Sequence, residues 1–129
     1  MVQPLVVVDT SAVREGMLVP LQAAMDDLVR FVEANEPRVL SYSVHFDEQG
    51  TRMTVVQVHP DSASMELHLE AAAPLFSRVK DLVTLETMDV YGAASEALLD
   101  KLRRKARMLG TATLVVHPLH AGIARFDSL

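Results

Sequence analysis

The chain has no cysteine, no tryptophan, two tyrosines and five glycines in 129 residues. Without cysteine there is no disulfide framework, no thiolate nucleophile and no Cys-ligated zinc or iron–sulfur site. No apolar run approaches the roughly 20 residues of a membrane-spanning helix. The opening Met1-Val2-Gln3-Pro4 lacks the basic region that precedes the apolar core of a secretory leader. Basic charge is also short: 12 Lys and Arg against 17 Asp and Glu leave a net charge of −5, the wrong sign for a phosphate backbone. There is no Gly-rich phosphate loop, nucleophile elbow or serine-centred triad pattern. What remains is half hydrophobic and 22% charged, the composition of a folded domain. The expectation is one domain over 1–129, cytoplasmic, with no nucleic-acid or membrane partner.

The periodicity is more specific. Leu5 to Val8 is a short β-branched run ending at Asp9-Thr10-Ser11, which predicts a strand buried on both faces. Met17, Leu18, Leu21, Met25, Leu28, Val29 and Val32 recur by threes and fours, predicting an amphipathic helix from about Arg14 to Ala34. Pro20 requires a kink there, or a start near Leu18. Pro37 ends it, since Glu36 is pushed out of the helical region. Val39 to Asp47 alternates as a strand, with Leu40, Tyr42, Val44 and Phe46 on one face. Asp47-Glu48-Gln49-Gly50 is a hairpin loop, and Thr51 to His59 returns. Asp61 can cap a helix from Ser62 to about Arg78, on which Met65, His68, Leu69, Ala72, Leu75 and Phe76 form the inward stripe. Leu82 to Tyr91 is the fourth strand, closed by Gly92.

This β-α-β-β-α-β order predicts an α+β, ferredoxin-like split βαβ unit with one antiparallel sheet and helices on one face. The core spans about 2–92. The segment 93–129 adds a helix from Ser95 to Leu109 with Gly110 as its C′ residue, a strand from Thr113 to His117, and a tail from Leu119 to Phe126 that can extend that strand. Several strands carry apolar residues on both sides, as with Met53 and Val55 against Val56 and Val58. A bare apolar sheet face is more than a monomer tolerates. Pairing two sheets in a homodimer is one remedy; coverage by the C-terminal helix is the other.

Asn35-Glu36-Pro37, Tyr42, Asp61-Ser62 and His68, over about Val2 to Tyr91, resemble the antibiotic biosynthesis monooxygenase family of dimeric α/β barrels, in particular its cofactor-free quinol monooxygenases. The resemblance implies a homodimer with a pocket between helices and sheet in each protomer. It implies a small aromatic or quinol substrate whose own anion reduces O₂, with no bound cofactor. On the matching residues it implies His68 as catalytic base, with Tyr42 and Asn35 as substrate contacts. The lack of tryptophan departs from the haem-degrading relatives and disfavours haem as substrate. Two other functions fit the same residues: a non-catalytic dimer that binds a small apolar ligand, and an isomerase or lyase using the same base without O₂. If the protein is an enzyme, a closed apolar cavity of a few hundred Å³ is expected beside His68.

The other polar residues read as structural. His117 and His120 are three apart on a predicted strand and point to opposite faces, so no metal site is expected there. His59-Pro60 is a strand terminus. Arg125 is expected to pair with Asp89 or Glu86. Arg103-Arg104-Lys105 reads as a solvated helix face.

Overall fold

In a computed structural model the described residues are 3–126. The expected domain of 1–129, and a core beginning at residue 2, extend at both ends past those bounds to residues outside the described ones. Nine elements follow one another: β1 (Leu5–Val13), α1 (Leu18–Asn35), β2 (Ser41–Phe46), β3 (Arg52–His59), α2 (Ser62–Ala71), α3 (Ala73–Val79), β4 (Val83–Tyr91), α4 (Glu96–Leu109) and β5 (Gly110–His117). The five strands form one open sheet in the order β2-β3-β1-β4-β5. Its first four strands are antiparallel neighbours, as expected of the split βαβ unit. β5 departs from that pattern and lies parallel to β4, because α4 carries the chain back across the sheet before β5 begins.

All four helices lie on one sheet face. Leu5, Val7, Met53, Val55, Val83, Leu85, Met88 and Val90 point to them and are buried. One cluster joins α1 and α3 to β2 and β3; the other joins α2 and α4 to β1, β4 and β5. Thus α4 shields the same face as α1 and α2 and does not cover the opposite one, where Val6, Val8, Val56 and Val58 are half-buried. At one end of that outer face the tail after β5 borders a groove of about 560 Å³ with Val6, Tyr91 and His117. It does not continue the strand.

β1 is longer than expected and buried on one face only. Asp9, Thr10 and Ser11 have turn-forming side chains, yet they sit in a central strand whose backbone is paired on both sides, Asp9 lying between Val55 and Met88. Asp9 and Ser11 continue the inward alternation of Leu5 and Val7. α1 begins at Leu18, which places Pro20 in the first turn, where its missing N–H has no intrahelical partner to lose. The single helix expected from Ser62 to Arg78 is two. Pro74 would collide with the carbonyl of Glu70 if the helix ran through, so the chain breaks at Ala72 and restarts with Pro74 in the first turn of α3. The Asp61 cap is present, its carboxylate accepting from the Ser64 N–H at 2.9 Å.

Gly110 follows α4 directly, as expected, but it does not take the left-handed conformation common at that position. Its φ of 168° is extended, and it is the first residue of β5. Glycine is required there by crowding: a Cβ would lie 2.4 Å from the carbonyl oxygen of Leu85. That close approach lets α4 pass into β5 without a loop.

Candidate functional site

Glu36 is the residue on which α1 ends. Its N–H bonds to the Val32 carbonyl, Pro37 turns the chain away, and the side chain is folded inward and buried. Its Oε1 accepts a 2.8 Å hydrogen bond from Nδ1–H of His68, which is fully buried on α2. That bond fixes the proton on Nδ1 and leaves Nε2 a bare acceptor. Among the described buried side chains, His68 Nε2, Glu36 Oε2 and Gln57 Nε2 have no partner. Burial lowers the His68 pKa, and this outweighs the opposing pull of the Glu36 hydrogen bond, so the imidazole is held neutral.

The imidazole is walled by rings. Tyr42 on β2 lies 5.3 Å away, Phe76 on α3 5.4 Å edge-on, and His59 on β3 6.0 Å, centroid to centroid. Burial raises the Tyr42 pKa, and the carboxylates of Asp9 and Glu36 raise it further, so its phenol stays protonated. His59 donates through Nε2–H to Gln57 Oε1 at 3.0 Å and accepts at Nδ1 from the Ser64 hydroxyl at 2.8 Å. Its pKa is pushed down to about 4, first by burial and then by its proximity to His68.

Beyond Tyr42 and Phe76 is a cavity of about 30 Å³, room for one water, bordered also by Asp9 of β1 and Lys105 of α4. Lys105 Nζ is 4.0 Å from Asp9 Oδ2 and 4.3 Å from the centre of the Phe76 ring. Burial raises the Asp9 pKa, although Lys105 and then His68 act to lower it; burial likewise lowers the Lys105 pKa against the pull of Asp9. The cluster therefore offers a neutral imidazole with a free acceptor, able to take a proton, near a buried ion pair.

The expected site residues are only partly brought together. His68 and Tyr42 meet. Asn35 does not join them: it is exposed at the end of α1, its Nδ2 donating to the Phe31 carbonyl at 3.0 Å. The cavity of several hundred Å³ expected against His68 is not found: the small cavity lies beyond Tyr42 and Phe76, and His68 does not line it. Asp9, Glu36 and Lys105 join the cluster although the sequence motifs do not mark them as site residues. Signals for each existed: Asp9 stands in register with Leu5 and Val7, and Lys105 falls three after Leu102 and four before Leu109 on the apolar stripe of α4. Lys105 is thus not part of a solvated face, unlike Arg103, which pairs with Asp100 at 3.2 Å.

The remaining polar residues sort simply. His117 bonds to Asp89 at 2.8 Å and stacks on Tyr91. Glu86 is paired with Arg52 at 2.7 Å, so both partners expected for Arg125 are taken. Among the described residues no group of three or more His, Cys, Asp or Glu side chains could hold a metal ion.

The two buried imidazoles predict an acid-sensitive fold. Both have folded-state pKa values below the unfolded value, so the unfolded chain binds more protons as the pH falls. Their contribution is complete above about pH 6.5 and is lost on acidification through the folded values, about 4 for His59. Urea denaturation at stepped pH should show stability falling from about pH 6.5 to 4, with a smaller decline in His59→Gln. A flat profile across that window would mean that neither ring is held neutral by the fold.

No protein-family model matches this chain, and no curated protein does. Solved structures do. The chain superposes on MupZ from Pseudomonas fluorescens with a TM-score of 0.74 at 21% identity over 95% of both chains. SnoaB, a cofactor-independent oxygenase from Streptomyces nogalater (mutant N63A), matches with a TM-score of 0.61 at 15% identity over 71% of this chain and 94% of its own. A protein named antibiotic biosynthesis monooxygenase matches with a TM-score of 0.61 at 18% identity over 70% of this chain and 99% of its own. This chain has the antibiotic biosynthesis monooxygenase fold. The likeness is one of architecture, the identities being too low to carry a reaction. Within the antibiotic biosynthesis monooxygenase fold the C-terminal segment is not unique to this chain, because 95% coverage leaves no room for α4 and β5 to fall outside the MupZ match. Lys105 therefore enters the site on an element added to the β-α-β-β-α-β core.

Proposed function

We propose that the protein is a small-molecule enzyme working by proton transfer, and that its reaction is cofactor-independent oxygenation of an aromatic or quinol substrate. The observation that carries this reading is the buried His68 ring, tied to Glu36 through Nδ1 and unpartnered at Nε2. A buried acceptor without a donor is expensive in a structural role and useful in a catalytic one. In the proposed reaction Nε2 takes the proton of the substrate hydroxyl. The resulting anion gives its electrons to O₂ and forms a carbon–oxygen bond. The peroxide oxygen takes back the proton held on Nε2, and the hydroperoxide loses water as its O–O bond and the C–H bond of the same carbon break, one oxygen remaining in the product as a carbonyl and the other leaving as water. The name of SnoaB, an oxygenase of the same fold, supports the assignment.

A second reading keeps the base but needs no O₂: isomerisation or elimination at a carbon next to a carbonyl. The neutral His68 ring with its free Nε2 favours it, since a base of this kind can begin proton abstraction next to a carbonyl without O₂. Oxygen uptake with a panel of hydroquinones and anthrone-like phenols separates the two. Uptake in step with substrate loss, abolished in His68→Asn, is expected. Solvent deuterium incorporated without oxygen uptake would replace the oxygenase by the isomerase. Neither response would leave a ligand-binding protein.

The half-buried outer sheet face, with Val6, Val8, Val56 and Val58, is proposed to be covered by a second copy of the chain, sheet against sheet. A monomeric mass in dilute solution would remove that proposal.

A further inference from the structure

A cavity of about 30 Å³ cannot hold an aromatic substrate, so the way in must open. Immediately outside it, between α2–α3 on one side and α4 on the other, is a cleft of about 510 Å³. Phe76 and Lys105 border both spaces and form the partition between them. Phe76 is carried by α3, a helix of seven residues set off from α2 by the break at Ala72, so the partition stands on a short separate element.

Lys105 is the informative residue. Its side chain is nine-tenths buried, yet it borders the cleft. Its ammonium meets only a ring face at 4.3 Å and a carboxylate oxygen at 4.0 Å, which is beyond hydrogen-bond reach. A buried ammonium with N–H donors to spare binds an oxygen acceptor well when one arrives. The other cleft cations differ: Lys101 is committed to Glu66 at 3.1 Å, and Arg104 is exposed. Glu66 and Glu70 on the facing wall make a second negative charge on a ligand unwelcome. The rest of the lining is apolar, with Leu69, Ala73 and a half-exposed Met108.

We propose that the cleft between α2–α3 and α4 receives a small apolar molecule bearing one anionic oxygen, that oxygen seating on Lys105 and the apolar body lying against Leu69, Ala73 and Met108. This deepens the enzymatic reading by naming the charge of the substrate and its route to His68. Displacing Phe76 merges the cleft with the inner cavity and brings the anion beside the acid–base cluster.

The test is titration of the full chain with sodium 1-naphthoate and, separately, 1-naphthamide, followed by methyl NMR. The naphthoate should shift the Leu69, Ala73 and Met108 methyls and bind at least about tenfold more tightly than the amide. Lys105→Met should erase the preference, and Arg104→Gln should keep it. Should Lys105→Met fail to fold, Asp9→Asn/Lys105→Met removes the stranded carboxylate and is read in the same way. Equal affinities, a preference that survives loss of Lys105 or disappears with Arg104, shifts confined to the Tyr91–His117 groove, or no shift at all would each overturn the proposal. Oxygen uptake by the unaltered chain separates this from the reaction: an intact anion preference in a parent protein that turns over none of the hydroquinones sinks the oxygenase and leaves the cleft assignment standing.

Discussion

Replacing Asp9 and Lys105 together, as Asp9→Leu/Lys105→Met, is expected to stabilise the protein by about 1–4 kcal/mol, while either change alone destabilises it by up to about 3–5 kcal/mol. The pair sits in the core between β1 and α4, both side chains at least nine-tenths buried, with 4.0 Å between the charges. At that separation, without a direct hydrogen bond, Coulomb attraction does not recover the cost of removing both ions from water. The shifts of the two groups agree, each moving toward its neutral form under burial. The single variants should differ from each other. In Asp9→Leu the lysine head can turn toward the cleft that it already borders and regain water. In Lys105→Met the Asp9 carboxylate is fixed in the middle of a central strand and cannot turn out to bulk solvent, so the loss is larger at pH 7 and shrinks as the pH falls and the carboxyl is protonated. Urea denaturation of the four proteins at pH 7 and pH 5 checks this. If the double variant is less stable than the parent at pH 7, the ion pair holds the fold together, and the argument for its retention by function fails. The stabilised double variant should be inactive, the usual exchange between stability and a working site.

The residues that were legible and those that were not differ by a physical rule. The helices and the hairpin could be read because local devices place them: the Asp61 cap, the Asp47–Gly50 loop and the period of the α1 stripe act within a few residues of where they stand. His68 was visible as a site residue because it breaks an apolar stripe. Errors arose where distant contacts overrule local preference. Asp9-Thr10-Ser11 would end a strand if exposed, but two flanking strands satisfy the backbone and Lys105 faces the carboxylate. Pro74, which splits the second helix, is itself a local signal, acting within one turn of where it stands. Glu36 stood out only as the residue before a proline; its carboxylate enters the site because α1 ends level with the second turn of α2. Asp9, Glu36, His68 and Lys105 come from four separate segments, and no spacing along the chain relates them.

His68→Asn should lower turnover by about 10²–10⁴-fold while leaving the protein folded, with the oxygen uptake of the most active hydroquinone as the measure. The shorter amide can still donate to Glu36, so the buried carboxylate keeps a partner; what disappears is the acceptor at Nε2. Glu36→Gln tests the same device from the other side. A glutamine amide can turn its N–H₂ toward Nδ1, which moves the imidazole proton to Nε2 and removes the free lone pair without touching the ring; by analogy with other His–carboxylate pairs, the loss should approach that of His68→Asn. The pH profile distinguishes chemistry from packing. Burial lowers the His68 pKa, so activity in the parent should rise with pH along a limb centred below about 6.5 and level off above it. That limb should be absent from whatever activity remains in His68→Asn. A structural histidine predicts the reverse in every respect: turnover per folded molecule unchanged, a pH profile unmoved, and damage confined to unfolding midpoints. With Nε2 buried and unpartnered, a purely structural role would leave that acceptor without compensation, and a donor brought by the substrate is what would satisfy it.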